Sequence, residues 1–209
     1  MKRHGARSAR QTSRPMSWLP LREGNGPGWV ALREFAKSPL TVGSPFVATH
    51  WLVNRVCDQI DWHDIEAVAE FGPGGGPFTT EILRRLPRGG QLTAFETGAG
   101  FVQHLRKRFR GQPFKVIPAS ATKAGHYLRA RSIDCIISGI PFSTMSQTDA
   151  ANVMRAARSL LKVEGCFIAY QMRPHVGRLL RRHFLHVAEL WEWRNVPPCR
   201  IYVAHGLRR

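Results

Sequence analysis

The stretch that decides the fold is Val68-Ala69-Glu70-Phe71-Gly72-Pro73-Gly74-Gly75-Gly76-Pro77-Phe78-Thr79. Its apolar start is typical of a buried strand, and Pro77 suits the first turn of a helix. The glycines between them permit positive φ and let a ligand approach the backbone where a Cβ would clash. Pro73 and Pro77 break the spacing of a dinucleotide-binding loop, and no phosphate-binding lysine follows. The loop therefore favours a nucleoside ligand without phosphates.

Acidic side chains accompany this loop at two places. Glu70 precedes it, and Glu96 ends the next apolar run, Leu92-Thr93-Ala94-Phe95-Glu96-Thr97. A carboxylate at the end of that second strand can accept hydrogen bonds from both hydroxyls of a ribose. Loop and acid together predict a site for adenosine that carries a methionyl group, which is S-adenosylmethionine (SAM).

After Asp61 the chain alternates between strand and helix patterns. Short unbroken apolar runs such as Cys166–Ala169 indicate strands buried on both faces of a parallel sheet, and the alternation predicts a doubly wound α/β sandwich. The last two strands are separated only by Asn195-Val196-Pro197-Pro198, so we expect an antiparallel hairpin near the sheet edge. We predict strands near residues 66–71, 91–96, 114–117, 133–138, 166–171, 186–193 and 200–205, and helices near 29–37, 46–60, 77–86, 98–109, 122–130, 147–162 and 174–182.

The composition limits the partners that the protein can have. The chain has 209 residues, of which 43% are hydrophobic, and a formal net charge of +17. Such a chain folds as one globular domain without help from disulfides or metal ions. Its excess charge repels itself in a compact state, which indicates a partner of opposite charge, either nucleic acid or an anionic membrane surface.

Other compositional features predict what the protein lacks. The four cysteines are scattered without a C-x-x-C pair, so we expect neither a disulfide framework nor a metal site. No run approaches 18 apolar residues, and no apolar segment follows the charged residues Met1–His4. We therefore predict no membrane span and no secretory signal.

The pattern Glu70-x-Gly72-x-Gly74-x-Gly76, Glu96 and the alternation that ends in a hairpin resemble the class I SAM-dependent methyltransferases over about residues 40–205. This resemblance implies a Rossmann-like, seven-stranded α/β sandwich with an N-terminal helical extension. It also implies that the three glycines approach the methionyl part of SAM, that Glu96 binds the ribose, and that Ser120-Ala121 lies beside the adenine. The other residues that it places at the cofactor are Gly43, Ser44, Glu70, Phe78, Thr79 and Thr97.

The end of the fourth strand bears on which group is methylated. In enzymes that methylate base amino groups, this position is Asn/Asp-Pro-Pro-Tyr/Phe or Asn-Leu/Ile-Pro-Tyr, and the polar side chain accepts a hydrogen bond from the amine. Here Gly139 lacks that acceptor, while Phe142 keeps an aromatic face that either a base or an aliphatic cation can use. The residues predicted to meet the substrate are Ser138, Gly139, Ile140, Pro141 and Phe142.

A narrower resemblance comes from residues 35–46 together with residues 138–143. Both segments are similar to bacterial phosphatidylethanolamine N-methyltransferases, a group that is similar to the rRNA adenine dimethylases. The implied reaction is stepwise methyl transfer from SAM to the phosphatidylethanolamine amine, towards phosphatidylcholine, by in-line displacement at the sulfonium. Each ammonium must first lose a proton, and the candidate bases are Tyr170, His50 and Glu70.

Two alternatives remain at this stage: an rRNA adenine N6-methyltransferase and a non-catalytic RNA-binding protein with a SAM fold. Basic residues cluster in the N-terminal arm, at Arg106–Arg110 and at Arg173–Arg182, and they suit an anionic membrane or an RNA backbone equally well. The resemblance favours the membrane, so we expect a monomer that associates peripherally with the inner face of the cell membrane. Trp191 and Trp193 should share one face of a strand.

The expected organisation has three parts. Residues 1–28 form a basic disordered arm and linker, residues 29–60 form helices that cover the membrane or substrate side, and residues 61–209 form the methyltransferase domain.

Overall fold

The computed structural model describes residues 48–208. The predicted arm and linker, the helix predicted at 29–37, and the candidate residues Gly43 and Ser44 all lie outside the described residues. Of the helix predicted at 46–60, the structure describes α1, which spans His50–Cys57. Its buried side chains include Leu52, Val53 and Val56, as the helical spacing of these residues indicates.

Strands and helices alternate through the described chain. The strands are β1 Ala67–Phe71, β2 Gln91–Phe95, β3 Phe114–Ile117, β4 Ile133–Ser138, β5 Leu161–Gln171, β6 Phe184–Glu192 and β7 Cys199–Leu207. The α-helices that follow α1 are α2 Pro77–Arg85, α3 Ala99–Arg108, α4 Gln147–Leu160 and α5 His175–His183, and a 3₁₀ helix spans Ala121–His126.

The strands of residues 48–208 form one seven-stranded sheet with the order β3-β2-β1-β4-β5-β7-β6. The first five strands pair in parallel, β7 runs antiparallel to β5, and β6 runs antiparallel to β7 at the sheet edge. The predicted Rossmann-like sandwich and its closing hairpin are therefore confirmed.

Two segments differ from the predicted elements. The segment predicted as a helix near 122–130 is a short 3₁₀ helix, and Gly125 within it disfavours continuation as an α-helix. The helix predicted over 147–162 ends at Leu160, because Leu161 already pairs with Ile133 and opens a longer β5. Pairing of Phe184 with Leu207 likewise lengthens both strands of the hairpin beyond the predicted bounds.

Helices cover both faces of the sheet. On one face, buried residues of α4, α5 and the 3₁₀ helix join a core that includes Phe71, Ile136 and Phe167. On the other face, α1 and α2 pack over a core that contains Val68 and Ile137, and α3 packs over β2 and β3 in a smaller cluster. The parallel strands are therefore buried on both faces, as their apolar runs predict.

The sheet topology brings several loops to one edge. The carboxyl ends of the parallel strands point in the same direction, and the chain leaves β1 between two neighbours, β2 and β4, that lie on opposite sides of it. In open α/β sheets, ligands bind at such a point. The loops that follow β1, β2, β3, β4 and β5 meet there and contain the candidate residues.

No helix within residues 48–208 has the length and apolar content needed to cross a bilayer. In the same part of the chain, no three His, Cys, Asp or Glu side chains converge closely enough to hold a metal ion.

Candidate functional site

The glycine loop turns sharply between β1 and α2. Gly72, Gly74 and Gly76 have φ values of 74°, 55° and 83°, a region that other residues rarely adopt. The Gly72 N–H donates to the Phe95 carbonyl at 3.0 Å, which ties the loop to the end of β2. A Cβ on Gly76 would lie only 2.9 Å from Leu105 Cδ2 of α3. The loop therefore needs these glycines both for its backbone conformation and for its close packing.

Glu96 connects the glycine loop to the loop after β2. Its Oε2 accepts from the Gly74 N–H at 3.1 Å, and its Oε1 accepts from the Gly98 N–H at 2.8 Å. Glu96 keeps 9% of its surface exposed. A carboxylate that two backbone N–H groups hold at the end of β2 has the chemistry to accept hydrogen bonds from the hydroxyls of a ribose. This geometry suits the predicted contact with the ribose.

Glu70 lies at the inner side of the same loop and is almost completely buried. Its Oε2 accepts from the Thr79 hydroxyl at 2.6 Å, whereas its buried Oε1 has no hydrogen-bond partner within the described residues. Burial raises the pKa of Glu70 to about 8, which the hydrogen bond from Thr79 opposes and the nearby charge of Glu96 reinforces. An unpartnered buried acceptor fits a cationic donor such as the methionyl ammonium of SAM.

Phe78 and Thr79, which are predicted to touch the cofactor, have no exposed surface in this structure. They lie on the first turn of α2, whose inward side faces the sheet. The Thr79 hydroxyl binds Glu70, and the Phe78 ring stacks on Tyr170 with 4.1 Å between ring centroids and an interplanar angle of 16°. Both residues therefore act on the site through other side chains.

The loops after β2 and β3 place the remaining cofactor candidates. Thr97 is exposed, and Ser120 is half-buried at the start of the 3₁₀ helix. The Ser120 hydroxyl oxygen accepts from the Thr122 N–H at 3.3 Å and from its hydroxyl at 2.9 Å. Ala121 has only 3% of its surface exposed and packs in the core, so Thr97 and Ser120 are better placed to meet an adenosine than Ala121 is.

Gly139 lies where β4 leaves the sheet, and its N–H donates to the Phe71 carbonyl at 2.9 Å. A Cβ at this position would lie 2.2 Å from the Tyr170 hydroxyl oxygen, 2.9 Å from Tyr170 Cζ and 3.1 Å from the Gly72 carbonyl oxygen. The phenol of Tyr170, from the neighbouring strand β5, thus occupies the space that a side chain at 139 would need. Glycine is required here by a close approach, not by its φ.

The residues on either side of Gly139 differ in burial. Ile140 and Pro141 are half-buried at the site, whereas Ser138 is fully buried. Phe142 retains only 6% of its surface and belongs to the core cluster, because the chain turns back through a hydrogen bond from the Phe142 N–H to the Ile140 carbonyl. Contact of the Phe142 ring with a substrate stays a prediction, and in this structure the ring lies in the core.

The three candidate bases have different surroundings. Desolvation, and then the nearby charge of Glu70, raises the pKa of Tyr170 well above its usual value, so its hydroxyl stays protonated at neutral pH. Glu70 titrates nearer neutrality for the reason given above. His50 begins α1, and its ring lies against that of Trp51 with 3.9 Å between centroids.

One residue of the site has no counterpart among the predictions. Gln171 follows Tyr170 at the end of β5, and its Nε2 donates to the Ile140 carbonyl at 2.5 Å. This bond holds the loop after β4 against β5 and so fixes the space around Gly139. The sequence feature that could have indicated this role is the position of Gln171, a polar residue at the end of an apolar strand and next to the candidate base Tyr170.

Comparison with known proteins agrees with this geometry. Residues 68–165 match the family model described as "Methyltransferase domain". The ornithine lipid N-methyltransferase of Singulisphaera acidiphila is 28% identical over 185 residues, which cover 86% of this chain and 96% of that protein. Ribosomal RNA small subunit methyltransferase A of Dehalococcoides mccartyi is 30% identical over 83 residues, 39% of this chain and 28% of that protein.

Among solved structures, the T. thermophilus 16S rRNA N2 G1207 methyltransferase, in complex with AdoMet and guanosine, superimposes with a TM-score of 0.56. It is 13% identical, and the match covers 74% of this chain and 38% of that chain. This similarity supports the fold. The matched domain, with the loop and its acids, identifies SAM as the methyl donor.

Proposed function

We propose that this chain, a class I SAM-dependent methyltransferase, methylates the amine of a membrane lipid, and that phosphatidylethanolamine is its substrate. The reaction proceeds stepwise towards phosphatidylcholine. A relative that matches almost along its whole length is named as an ornithine lipid N-methyltransferase, which supports a lipid amine as the acceptor. Ornithine lipid is the competing substrate of the same chemical class.

The observation that carries the proposal is the contact between Gly139 and Tyr170. An Asn or Asp at position 139, which would hold a planar base amine, has no room because the Tyr170 hydroxyl lies 2.2 Å from the Cβ position. The ring of Phe142, which would stack on a flipped base, is buried in the core. Both features disfavour adenine and suit a small, flexible amine that needs one hydrogen-bond acceptor.

In this proposal, SAM is held by the glycine loop and by the two acids beside it. The backbone at Gly72 and Gly74 is open to the methionyl part, Glu96 accepts from the ribose, and Oε1 of Glu70 accepts from the ammonium. When bound, SAM supplies an electrophilic methyl group.

Tyr170 positions the acceptor amine. Its hydroxyl stays protonated because its pKa is raised, and a neutral phenol oxygen can still accept a hydrogen bond from an amine N–H. The stack on Phe78 fixes the ring, and Gln171 fixes the opposite wall at Ile140. A fixed acceptor of this kind accelerates transfer mainly by orientation.

Among the candidate bases, Glu70 has its pKa raised by burial to about 8, close to the working pH. Its carboxyl is buried, however, and its Oε1 is assigned here to the methionyl ammonium of SAM. We therefore propose that the lipid ammonium loses its proton to solvent before transfer, with Tyr170 as the residue in contact with the amine.

We place the enzyme at the inner face of the cell membrane as a peripheral protein. The net charge of +17 suits an anionic leaflet, to which each nearby basic side chain contributes about 1 kcal/mol. The rRNA reading has weaker support, because the matching rRNA methyltransferase shares only a minor part of its length with this chain.

The test is transfer of label from radioactive SAM by the full chain to three acceptors: phosphatidylethanolamine vesicles, ornithine lipid vesicles and 16S rRNA. We expect label in phosphatidylethanolamine, and no transfer by a Glu96→Ala control that is impaired in SAM binding. Label in ornithine lipid alone would replace the substrate within the same class. Label in RNA and in neither lipid would refute a lipid acceptor.

A further inference from the structure

The turn of the β6–β7 hairpin lies beside the candidate site. Trp191 pairs with Arg200, and Arg200 pairs in turn with Gln171 at the carboxyl end of β5. Gln171 contacts the Ile140 carbonyl of the substrate loop. The turn that joins β6 to β7 therefore projects from the same edge of the sheet as the loops that hold SAM and the acceptor.

This edge carries large apolar side chains in contact with water. Seven such side chains are exposed within residues 48–208, and four of them are at the hairpin turn, the start of α1 and the residue after β5: Trp51, Met172, Trp193 and Val196. Trp193 is 67% exposed and Val196 is 77% exposed. We call these four residues, with Arg173 and Arg194, the docking tip.

Buried polar contacts hold the docking tip in place. Glu192, which is 2% exposed, accepts hydrogen bonds from the Arg194 N–H, Nε and Nη2 at 2.8–2.9 Å. The Asn195 Oδ1 accepts from the N–H and hydroxyl of Thr49, both at 3.1 Å, and its Nδ2 donates to the Pro197 carbonyl. The fold thus uses two buried polar residues to present Trp193 and Val196 to the outside, so little entropy is lost when the tip binds a surface.

Aromatic rings in the docking tip and next to it stack on one another and on arginines. Trp191 and Trp193 stack with 4.6 Å between centroids and an angle of 6°, which confirms that they share a face. The Arg200 guanidinium lies 4.0 Å from the Trp191 ring, and that of Arg194 lies 5.7 Å from the Trp51 ring. Tryptophan and arginine combine an apolar body with a polar group, which is the composition that favours a membrane–water interface.

The charge next to the tip specifies the sign of the surface that it fits. From Met172 to His183 the sequence has no acidic residue. Arg173, which directly follows Met172 of the tip, forms no ion pair within the part of the chain that the structure describes. Apolar anchors beside an uncompensated cation are complementary to an anionic phospholipid bilayer.

We infer that the docking tip inserts into the interface of an anionic phospholipid bilayer and places the site opening at the level of the lipid head groups. This inference rests on the proposed function, because it explains how a lipid amine reaches Tyr170 while its acyl chains stay in the bilayer. The occupant of the tip is the bilayer itself rather than a protein partner.

The experiment measures binding of the full chain to vesicles of phosphatidylethanolamine and phosphatidylglycerol by co-sedimentation, with a Trp193→Ala/Val196→Ser variant. Both side chains are exposed, so the variant should fold, which thermal unfolding checks. Removal of one apolar anchor implies a loss of about tenfold, so we expect partitioning of this variant, which lacks two anchors, to fall by more than about tenfold. A matched control is Val163→Ser, which removes a 70% exposed apolar side chain at the opposite end of β5 and should bind as the wild type does.

Each outcome separates the two proposals. Unchanged vesicle binding of the tip variant overturns the docking tip, whatever the enzyme methylates. A dimer that the variant dissociates, with no vesicle binding by the wild type, also overturns it and assigns the tip to self-association. Methylation of phosphatidylethanolamine in detergent micelles tests the proposed function without a bilayer. If vesicle binding depends on the tip but no lipid is methylated, the proposed function is rejected and the docking tip is retained.

Discussion

At the scale of the residue, two close contacts shape the candidate site. The Tyr170 hydroxyl occupies the side-chain space of position 139, and the carboxyl of Glu70 is buried with one oxygen that has no hydrogen-bond partner among residues 48–208. The first feature restricts which amine fits beside Gly139. The second leaves a buried acceptor atom where we expect the methionyl ammonium of SAM. Each can be tested by a single substitution.

Replacement of Gly139 by alanine should destabilise the fold and suppress methyl transfer. The new Cβ would lie 2.2 Å from the Tyr170 hydroxyl oxygen, so the phenol or the β4 loop must move. Overpacking of this kind costs about 1–3 kcal/mol, which urea denaturation measures. Gly125→Ala is the control, because its Cβ meets nothing closer than Ser159 Oγ at 3.8 Å.

The same contact predicts a partial rescue. Removal of the hydroxyl by Tyr170→Phe in the Gly139→Ala background should restore part of the lost free energy of unfolding, since the closest clash is with that oxygen. A Gly139→Ala protein with wild-type stability and activity would contradict the assignment of Tyr170 to this space.

The stability of the SAM-free protein should depend on pH through Glu70. Burial raises the pKa of Glu70 in the folded state to about 8, from an ordinary value of 4.5. The folded state therefore holds this proton more tightly than the unfolded state does. The stabilisation that results is complete below about pH 4.5 and is lost as the pH rises to about 8.

Glu70→Gln should remove this dependence, because the amide stays neutral and its oxygen can still accept from Thr79. Measured by chemical denaturation, the free energy of unfolding of the variant should increase relative to that of the wild type between about pH 4.5 and about pH 8. A difference between the two proteins that stays constant with pH would show that the Glu70 carboxyl titrates normally.

At the scale of the element, the hairpin and α1 stabilise each other through Asn195. The Asn195 side chain accepts two hydrogen bonds from Thr49, the residue that caps α1, across 146 positions of sequence. This contact ties the docking tip to the start of α1.

Asn195→Ala should lower the free energy of unfolding by about 1–3 kcal/mol, because it leaves the Thr49 donors without their acceptor. It should also weaken vesicle binding, since the tip is no longer held in one conformation. Denaturation and co-sedimentation measure the two effects. Asn152→Ala, which removes an exposed hydrogen bond to Arg155, is the matched control and should change stability little. Equal stability of both variants would show that the hairpin is held by other contacts.

At the scale of the whole molecule, the excess positive charge attracts the membrane, whereas buried acidic groups bind the cofactor. The net charge is +17, yet Glu70 and Glu96 at the SAM site are buried. Surface charges are screened by salt much more than buried ones are. Membrane attraction and cofactor binding should therefore respond differently to ionic strength.

Binding of the protein to anionic vesicles should weaken strongly as salt rises from about 0.01 M to about 1 M, because the Debye length falls from about 30 Å to about 3 Å. The affinity for SAM, measured by calorimetry over the same range, should change little. Zwitterionic vesicles are the control and should bind weakly at every salt concentration. Vesicle binding that is insensitive to salt would exclude charge as the main source of attraction.

Local patterns in the sequence are sufficient for the main features of the fold and for the cofactor. The strand, the glycine loop and the helix that bind SAM are contiguous, so their conformations depend on neighbours in the chain. The alternation of apolar runs with helical spacing likewise predicts the seven strands, although the ends of β5, β6 and β7 differ because strand pairing extends them. Glu96 could be recognised because its role depends on its position at a strand end.

By itself, then, the sequence determined the α/β sandwich, its SAM loop and the acids beside it. Only the tertiary structure decided that Tyr170 fills the space at Gly139, that Phe78, Thr79 and Phe142 face the core, and that Thr49 and Asn195 lock the docking tip. The reason is geometric: contacts between distant segments depend on strand register, and a shift of one residue turns every side chain to the opposite face of the sheet. A sequence pattern does not define the ends of a strand to within one residue.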